Sequence, residues 1–323
     1  MKIVYFGSSE FSVPFLKKIK VSRHEIVAVF TNSDKKKGRG LKLAQNPVKE
    51  AALSEGIKVF EEEGAGIDLV GDLSGLNFDY AVVISYGRIL PREVFDRWPG
   101  RWLNLHPSML PQYRGPSPMI SALLDGAQQT GVTINDIVYE VDTGMIFAQT
   151  GFTIEQSDNL DSLKEKVISF GGPLLITVLD MIGDKGYRPF PQGDQGITYT
   201  RKISSEDLPV DWSADGKEIV NRIRAFSSTP GVYGFFNGER IKILKASLES
   251  GTARDVTISE RGGEPAGTVV AAGAKEGLLV RCGGGGIIRI EILQPSGKRT
   301  MDHKSFINGY HPCVGQRFKK RSI

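Results

Sequence analysis

The chain has 323 residues, a length that predicts two domains at about 150 residues each. With 40% apolar and 24% charged residues, two cysteines and four scattered histidines, it is neither a disulfide scaffold nor a clustered Cys/His metal protein. The net charge of +4 is uneven: residues 210–323 hold 18 Lys and Arg against 11 Asp and Glu, and residues 1–209 hold 23 against 26. A polyanion contact is expected from the second half, the alternative being a basic surface that is merely solvated. Apolar runs such as Ala81-Val82-Val83-Ile84 are strand-length, so no bilayer span is expected. The apolar stretch after Lys2 ends at Gly7, too short for a signal-peptide core, and a cytoplasmic protein is the expectation.

In chain order, Lys2–Phe6 predicts a buried strand, Gly7-Ser8-Ser9 a turn, 10–19 a helix and 25–30 a second strand. A helix near 47–55 follows a basic loop, and strands follow at 57–60, 79–85 and 101–105. Strands alternating with helices predict a mostly parallel sheet with helices on both faces. Residues 132–137 and 146–154 read as a later strand pair, a hairpin. From 159 to 181, Leu160, Leu163, Val167, Phe170, Leu174, Val178 and Met181 recur at helical spacing. The Gly- and Pro-rich stretch 183–209 reads as a linker between a first domain, 1–182, and a second, 210–323. The second has one helix over 214–226 and short strands at 232–236, 241–246, 267–271, 278–280 and 287–293. That pattern predicts a small β-barrel of the OB kind.

Four segments could carry chemistry. Gly7-Ser8-Ser9-Glu10 has only the first glycine of a dinucleotide-binding turn, and Glu10 would repel phosphate, so a nucleotide-dependent oxidoreductase is disfavoured. Residues 34–42 place Lys35, Lys36, Lys37, Arg39 and Lys42 around Gly38 and Gly40, a loop suited to phosphates or simply a solvated charge run. Asn104 and His106 are two apart at a strand end, so their side chains share a side where an open α/β sheet binds ligands. Pro107, Pro111, Gly115 and Pro116 then predict a rigid irregular loop. Asp142-Thr143-Gly144 is an acidic turn that completes an amide, imidazole and carboxylate trio. It lacks the second copy an aspartic protease needs.

These residues resemble those of the methionyl-tRNA formyltransferases over essentially the whole chain. Residues 104–115 (NLHPSMLPQYRG) are similar to that family's signature, as are Gly131-Val132-Thr133-Ile134 and Val141-Asp142-Thr143-Gly144. Met109 stands for a leucine, and Met145 for an acidic residue that some members carry. The resemblance implies a Rossmann-like formyltransferase domain, a linker and an OB-like C-terminal domain. It implies Asn104, His106 and Asp142 as catalytic residues. Ser108, Met109, Leu110 and Pro111, with backbone around Tyr86, Gly87 and Leu90, would line the site for 10-formyltetrahydrofolate. The stretch 35–49 (KKKGRGLKLAQNPVK) is similar to the loop with which the family enters the acceptor stem, implying that Lys36, Lys37, Arg39 and Lys42 bind initiator methionyl-tRNA. The implied enzyme is a monomer using no metal, DNA or membrane. His106 would donate to the growing oxyanion with Asn104 beside it, while Asp142 orients His106. A sugar-nucleotide N-formyltransferase shares the trio, but the basic loop and the basic second half disfavour it. A non-catalytic RNA-binding protein would leave the trio unused.

Overall fold

Ile3, Val4, Tyr5 and Phe6 are all fully buried, which makes β1 (Lys2–Phe6) a central strand. The computed structural model describes residues 1–37, 42–62, 68–183, 187–227, 229–249 and 265–321. Around β1 follow α1 (Val13–Lys20), β2 (Glu25–Asn32), β3 (Lys35–Lys37), β4 (Lys42–Ala44), α2 (Pro47–Ser54), β5 (Val59–Glu62), α3 (Leu69–Ser74), β6 (Tyr80–Val83), α4 (Arg92–Arg97) and β7 (Trp102–His106). Then come α5 (Pro118–Leu124), β8 (Gln129–Asp136), β9 (Ile146–Thr153) and α6 (Leu160–Gly183). Seven strands pair in the order β5-β2-β1-β6-β7-β8-β9. The first five are parallel and the β8–β9 hairpin is antiparallel. β3 and β4 form a separate small hairpin around the basic loop.

Beneath the carboxyl ends of the parallel strands lies a run of aromatic rings. Phe60 stacks on Phe30 at 4.6 Å and Phe30 on Phe6 at 4.7 Å, and Tyr86 meets Phe6 edge-on at 5.2 Å. This packing fixes the strand ends from which the functional loops leave.

The helix α6 differs from one expectation. By length and composition it could cross a membrane, although no such segment is anticipated above. Its residues Leu163, Val167, Leu175, Val178 and Leu179 are fully buried, and a Cβ on Gly171 would lie 3.1 Å from both Leu105 and Val132. The helix is apolar because it covers the sheet.

The chain divides into two units, each described by itself. One comprises Met1–Pro118, Gln129–Thr153 and Lys164–Arg201; the other Met119–Gln128, Ile154–Leu163 and Lys202–Ile323. The stretch 183–209 divides between the two units after Arg201. Its residues 187–201 fold into the first unit, because Phe190 exchanges backbone hydrogen bonds with Ile146 (2.8 and 2.9 Å) and Thr198 and Thr200 bond both sides of Arg114 (2.9 and 2.7 Å). Residues 154–163 join the second unit, where Arg224 donates to the carbonyls of Asp158 and Glu155 at 2.6 and 2.7 Å.

The second unit holds α7 (Gly216–Ala225), β10 (Val232–Phe236), β11 (Glu239–Leu248), β12 (Val269–Gly273), β13 (Gly277–Arg281), β14 (Ile287–Pro295), β15 (Met301–Asp302) and α8 (His303–Tyr310). Its antiparallel sheet runs β10-β11-β14-β13-β12, with β15 on β14. The terminal segment bonds Val269 and Gly267 on one side and Phe235 on the other, each near 2.8 Å. Both sheet edges are thereby paired and the sheet closes on itself around Phe236, Phe306, Phe318 and Trp212.

Phe6 touches three aromatic neighbours with no exposed surface, so Phe6→Ala is expected to destabilise the first unit by about 3–5 kcal/mol. Urea unfolding followed by tryptophan fluorescence measures this; a loss of less than about 1 kcal/mol would mean that the aromatic run does not anchor the sheet.

Candidate active site

β7 places the first two members of the trio. Alternation along the strand turns Asn104 and His106 to one face, and pairing with β8 sets Asn104 opposite Asn135 and His106 opposite Thr133. The loop after β7 is tied to this hairpin. Thr133 Oγ1 donates to the Ser108 carbonyl at 2.7 Å and accepts from Leu110 N at 3.1 Å, while Gln149 Nε2 donates to the Leu110 carbonyl at 2.8 Å. At the far end of the loop Tyr113 has φ +60°, which turns its carbonyl inward to accept from His106 Nε2 at 2.9 Å.

Asp142 arrives from the turn between β8 and β9. Its φ of +55° is the left-handed region, uncommon for a residue with a side chain. The carboxylate is met on both oxygens: Oδ2 accepts from Gly115 N at 2.7 Å, while Oδ1 lies 3.4 Å from Asn104 Nδ2 and 3.6 Å from His106 Nδ1. Asn104 Nδ2 also reaches Asn135 Oδ1 at 3.3 Å. The three predicted residues therefore converge on one oxygen. The turn needs Gly144, since a Cβ there would stand 1.9 Å from the Asp136 carbonyl oxygen.

The proton on His106 can be placed. Both neighbours only accept, and the Tyr113 carbonyl at 2.9 Å is nearer than Asp142 Oδ1 at 3.6 Å, so the neutral ring is assigned hydrogen on Nε2 and a bare Nδ1 toward Asp142. His106 is 4% exposed, and burial pulls its pKa below the usual histidine value, opposed by the Asp142 charge and the Tyr113 hydrogen bond. A proton added at Nδ1 would face the Asp142 carboxylate.

The other predicted positions divide. Ser108, Leu110, Tyr86 and Leu90 are buried, and Ser108 has no exposed surface at all. Met109 and Pro111 are half-buried, and Gly87 has φ +78°. The 86–90 loop has an anchor that no motif signalled: Tyr86 donates to the Glu62 carboxylate, and Arg88 pairs with Glu62 at 3.1 Å and donates to Asn32. Ile89 (96%), Tyr139 (72%) and Val141 (66%) are exposed, and Arg92 faces the Tyr139 ring at 5.8 Å. Such an apolar rim suits a flat organic ligand. Lys36, Lys37 and Lys42 have their backbone in the β3–β4 pairing, and Arg39 lies outside the described residues. Among the described residues no group of three or more His, Cys, Asp or Glu is arranged to hold a metal.

Comparison with known proteins adds independent findings. A formyl transferase family model matches residues 1–179, and a formyl transferase C-terminal domain model matches 202–311. The methionyl-tRNA formyltransferase of Dictyoglomus turgidum is 36% identical over 321 residues, 99% of either chain. That of Sulfurihydrogenibium sp. is 35% identical over 321 residues, 99% of this chain and 100% of its own. Among solved structures, the N-formyltransferase from Helicobacter canadensis, in complex with folinic acid and dTDP-3-aminofucose, superposes with a TM-score of 0.64 at 22% identity, covering 90% of this chain and 98% of that one. Phosphoribosylglycinamide formyltransferase from Bacillus halodurans covers 57% of this chain and 96% of its own, with a TM-score of 0.50 at 24% identity. These two likenesses establish the fold.

Nitrogen NMR of the histidine rings at neutral pH is expected to show His106 neutral with hydrogen on Nε2, titrating below 6.5. Asp142→Asn removes the charge that favours the protonated ring, so the midpoint should fall further. A midpoint above 6.5, or hydrogen on Nδ1 of the neutral ring, would contradict the assignment.

Proposed function

The chain belongs to the methionyl-tRNA formyltransferases, and on that premise we propose how its own residues perform the transfer. The enzyme formylates the methionine carried by initiator tRNA. Our reading takes 10-formyltetrahydrofolate as donor, which supplies a formyl group on nitrogen and a nitrogen leaving group. The 86–90 and 137–145 loops would receive it against their exposed apolar rim, with backbone around Tyr86, Gly87 and Leu90 and the Ser108–Pro111 turn beside it.

In this reading the neutral amine of methionyl-tRNA attacks the formyl carbon. Asn104 Nδ2 donates to the oxygen on which charge grows, a contribution of about 2.7–4 kcal/mol for one well-placed donor. His106 Nδ1 takes the proton leaving the amine, Asp142 stabilises the resulting imidazolium, and the same proton passes to the departing nitrogen. Such acid–base help contributes about 10²–10⁴-fold. Here the roles differ from the first expectation. His106 is held to the Tyr113 carbonyl at 2.9 Å, whereas the Asn104 Nδ2 contacts to Asn135 and Asp142 are long, 3.3 and 3.4 Å, so our reading gives donation to the oxyanion to Asn104, which would exchange one of them for it. The single observation that carries the reading is the convergence of Asn104 and His106 on Asp142 Oδ1.

The trio comes from one chain, which is the ground for taking the monomer as the working unit, in the cytoplasm with its tRNA. We assign the acceptor end of the tRNA to Lys36, Lys37, Arg39 and Lys42, supported by the density of charge in the sequence 35–42, whose lysines 36, 37 and 42 have their backbone in the β3–β4 pairing, and further phosphate contact to residues 210–323.

His106→Ala and Asp142→Ala should each lower kcat by about 10²–10⁴-fold while the Kd for tRNA stays within about threefold. Turnover near that of the unaltered enzyme in either variant, measured with saturating folate and charged tRNA, would sink the assignment. Arg39→Lys keeps the charge but loses the planar fork, so kcat/KM for initiator tRNA should drop about 10–100-fold while Lys36→Arg stays nearly silent. Equal behaviour of the two variants would reduce the loop to non-specific attraction.

A further inference from the structure

We infer that Gln192 is a positioning residue that holds the Asp142 turn in its active conformation, with Arg114 holding Gln192. The inference rests on the reading of Asp142 above. Gln192 lies in the Gly- and Pro-rich stretch whose composition reads as a linker. The reciprocal bonds between Phe190 and Ile146 run antiparallel, and two residues further on they bring Gln192 opposite Gly144. There its amide is used completely. Nε2 donates to the carbonyls of Asp142 at 2.8 Å and Gly144 at 2.7 Å; Oε1 accepts from Arg114 Nε at 3.1 Å and Nη2 at 2.7 Å.

Only this amide orientation satisfies both sides, because carbonyls need donors and a guanidinium has nothing but donors. Arg114 is 7% exposed, and its own backbone is bracketed by Thr198 and Thr200. The next residue, Gly115, donates to the Asp142 carboxylate. One short segment thus grips Asp142 twice, at its main chain through Gln192 and at its side chain through Gly115. That double hold maintains a left-handed aspartate whose Oδ1 must meet both Asn104 and His106.

The test uses the full chain. Gln192→Met keeps the length and removes all four hydrogen bonds. Gln192→Glu keeps the Arg114 contact, and with it the fold, but turns oxygen toward the two carbonyls. Both variants should lose about 10–100-fold in kcat, as a displacement near 1 Å can cause. The KM values for tRNA and folate should stay within about threefold, and the Tm of Gln192→Glu should be unchanged. Placed on Asp142→Ala, Gln192→Met should subtract nothing further, because it acts through that residue. Full kcat in both Gln192 variants overturns the inference, and so do losses that multiply in the double variant. The catalytic reading fails separately, and takes this inference with it, if Asp142→Ala alone turns over normally.

Discussion

Everything at the site depends on where one carboxylate is held. Asp142 Oδ1 is the point shared by an amide and an imidazole, and neither contact is short: 3.4 Å to Asn104 and 3.6 Å to His106. The firm bonds lie elsewhere on the same residue, at Oδ2 through Gly115 and at the carbonyl through Gln192. The left-handed backbone costs about 1–3 kcal/mol, which the surrounding hydrogen bonds must over-determine. The arrangement is loose where charge must move and tight where position must be kept.

The fold explains why such a carboxylate can stand beside a buried histidine. β7 is the last parallel strand, and its other edge takes an antiparallel hairpin. One strand end therefore offers the carboxyl edge of a parallel sheet, where loops diverge, and a hairpin whose turn can fold back over it. The turn supplies Asp142, and the loop after β7 supplies the Tyr113 carbonyl. Burial lowers the pKa of the imidazole, and the Asp142 charge and the Tyr113 hydrogen bond oppose that shift.

Much of this was readable from sequence because short patterns set it locally. Continuous apolar runs marked β1, β2, β6 and β7, and Asn104 and His106 share a face by strand alternation alone. The helices α3, α4 and α5 were not read, since six or seven residues give too few turns for a period to show, and neither was α8, although it equals α1 and α2 in length. The role of 187–201 was hidden for another reason. Its position comes from backbone pairing to Ile146 and Arg114 and from side chains such as Gln192 whose partners lie far off in sequence, and glycine and proline there read as absence of structure. Likewise the Glu62–Arg88–Asn32 network joins residues up to 56 positions apart, beyond any local pattern.

The two departures from the family pattern follow from the same geometry. Met145 succeeds Gly144, and its carbonyl accepts from Asp136 N at 2.8 Å while its side chain is 42% exposed. The turn uses the backbone of that residue, so an acidic side chain or a methionine can occupy the position without moving Asp142. Met109 is accommodated differently. A Cβ on Gly131 would come within 2.4 Å of the Met109 sulfur, so the methionine lies in space left by a glycine in β8. A flexible thioether can fill that irregular gap, and the bonds from Thr133 to Ser108 and Leu110 hold the loop on either side of it. Met145 is thus held by its backbone and Met109 by the gap its side chain fills.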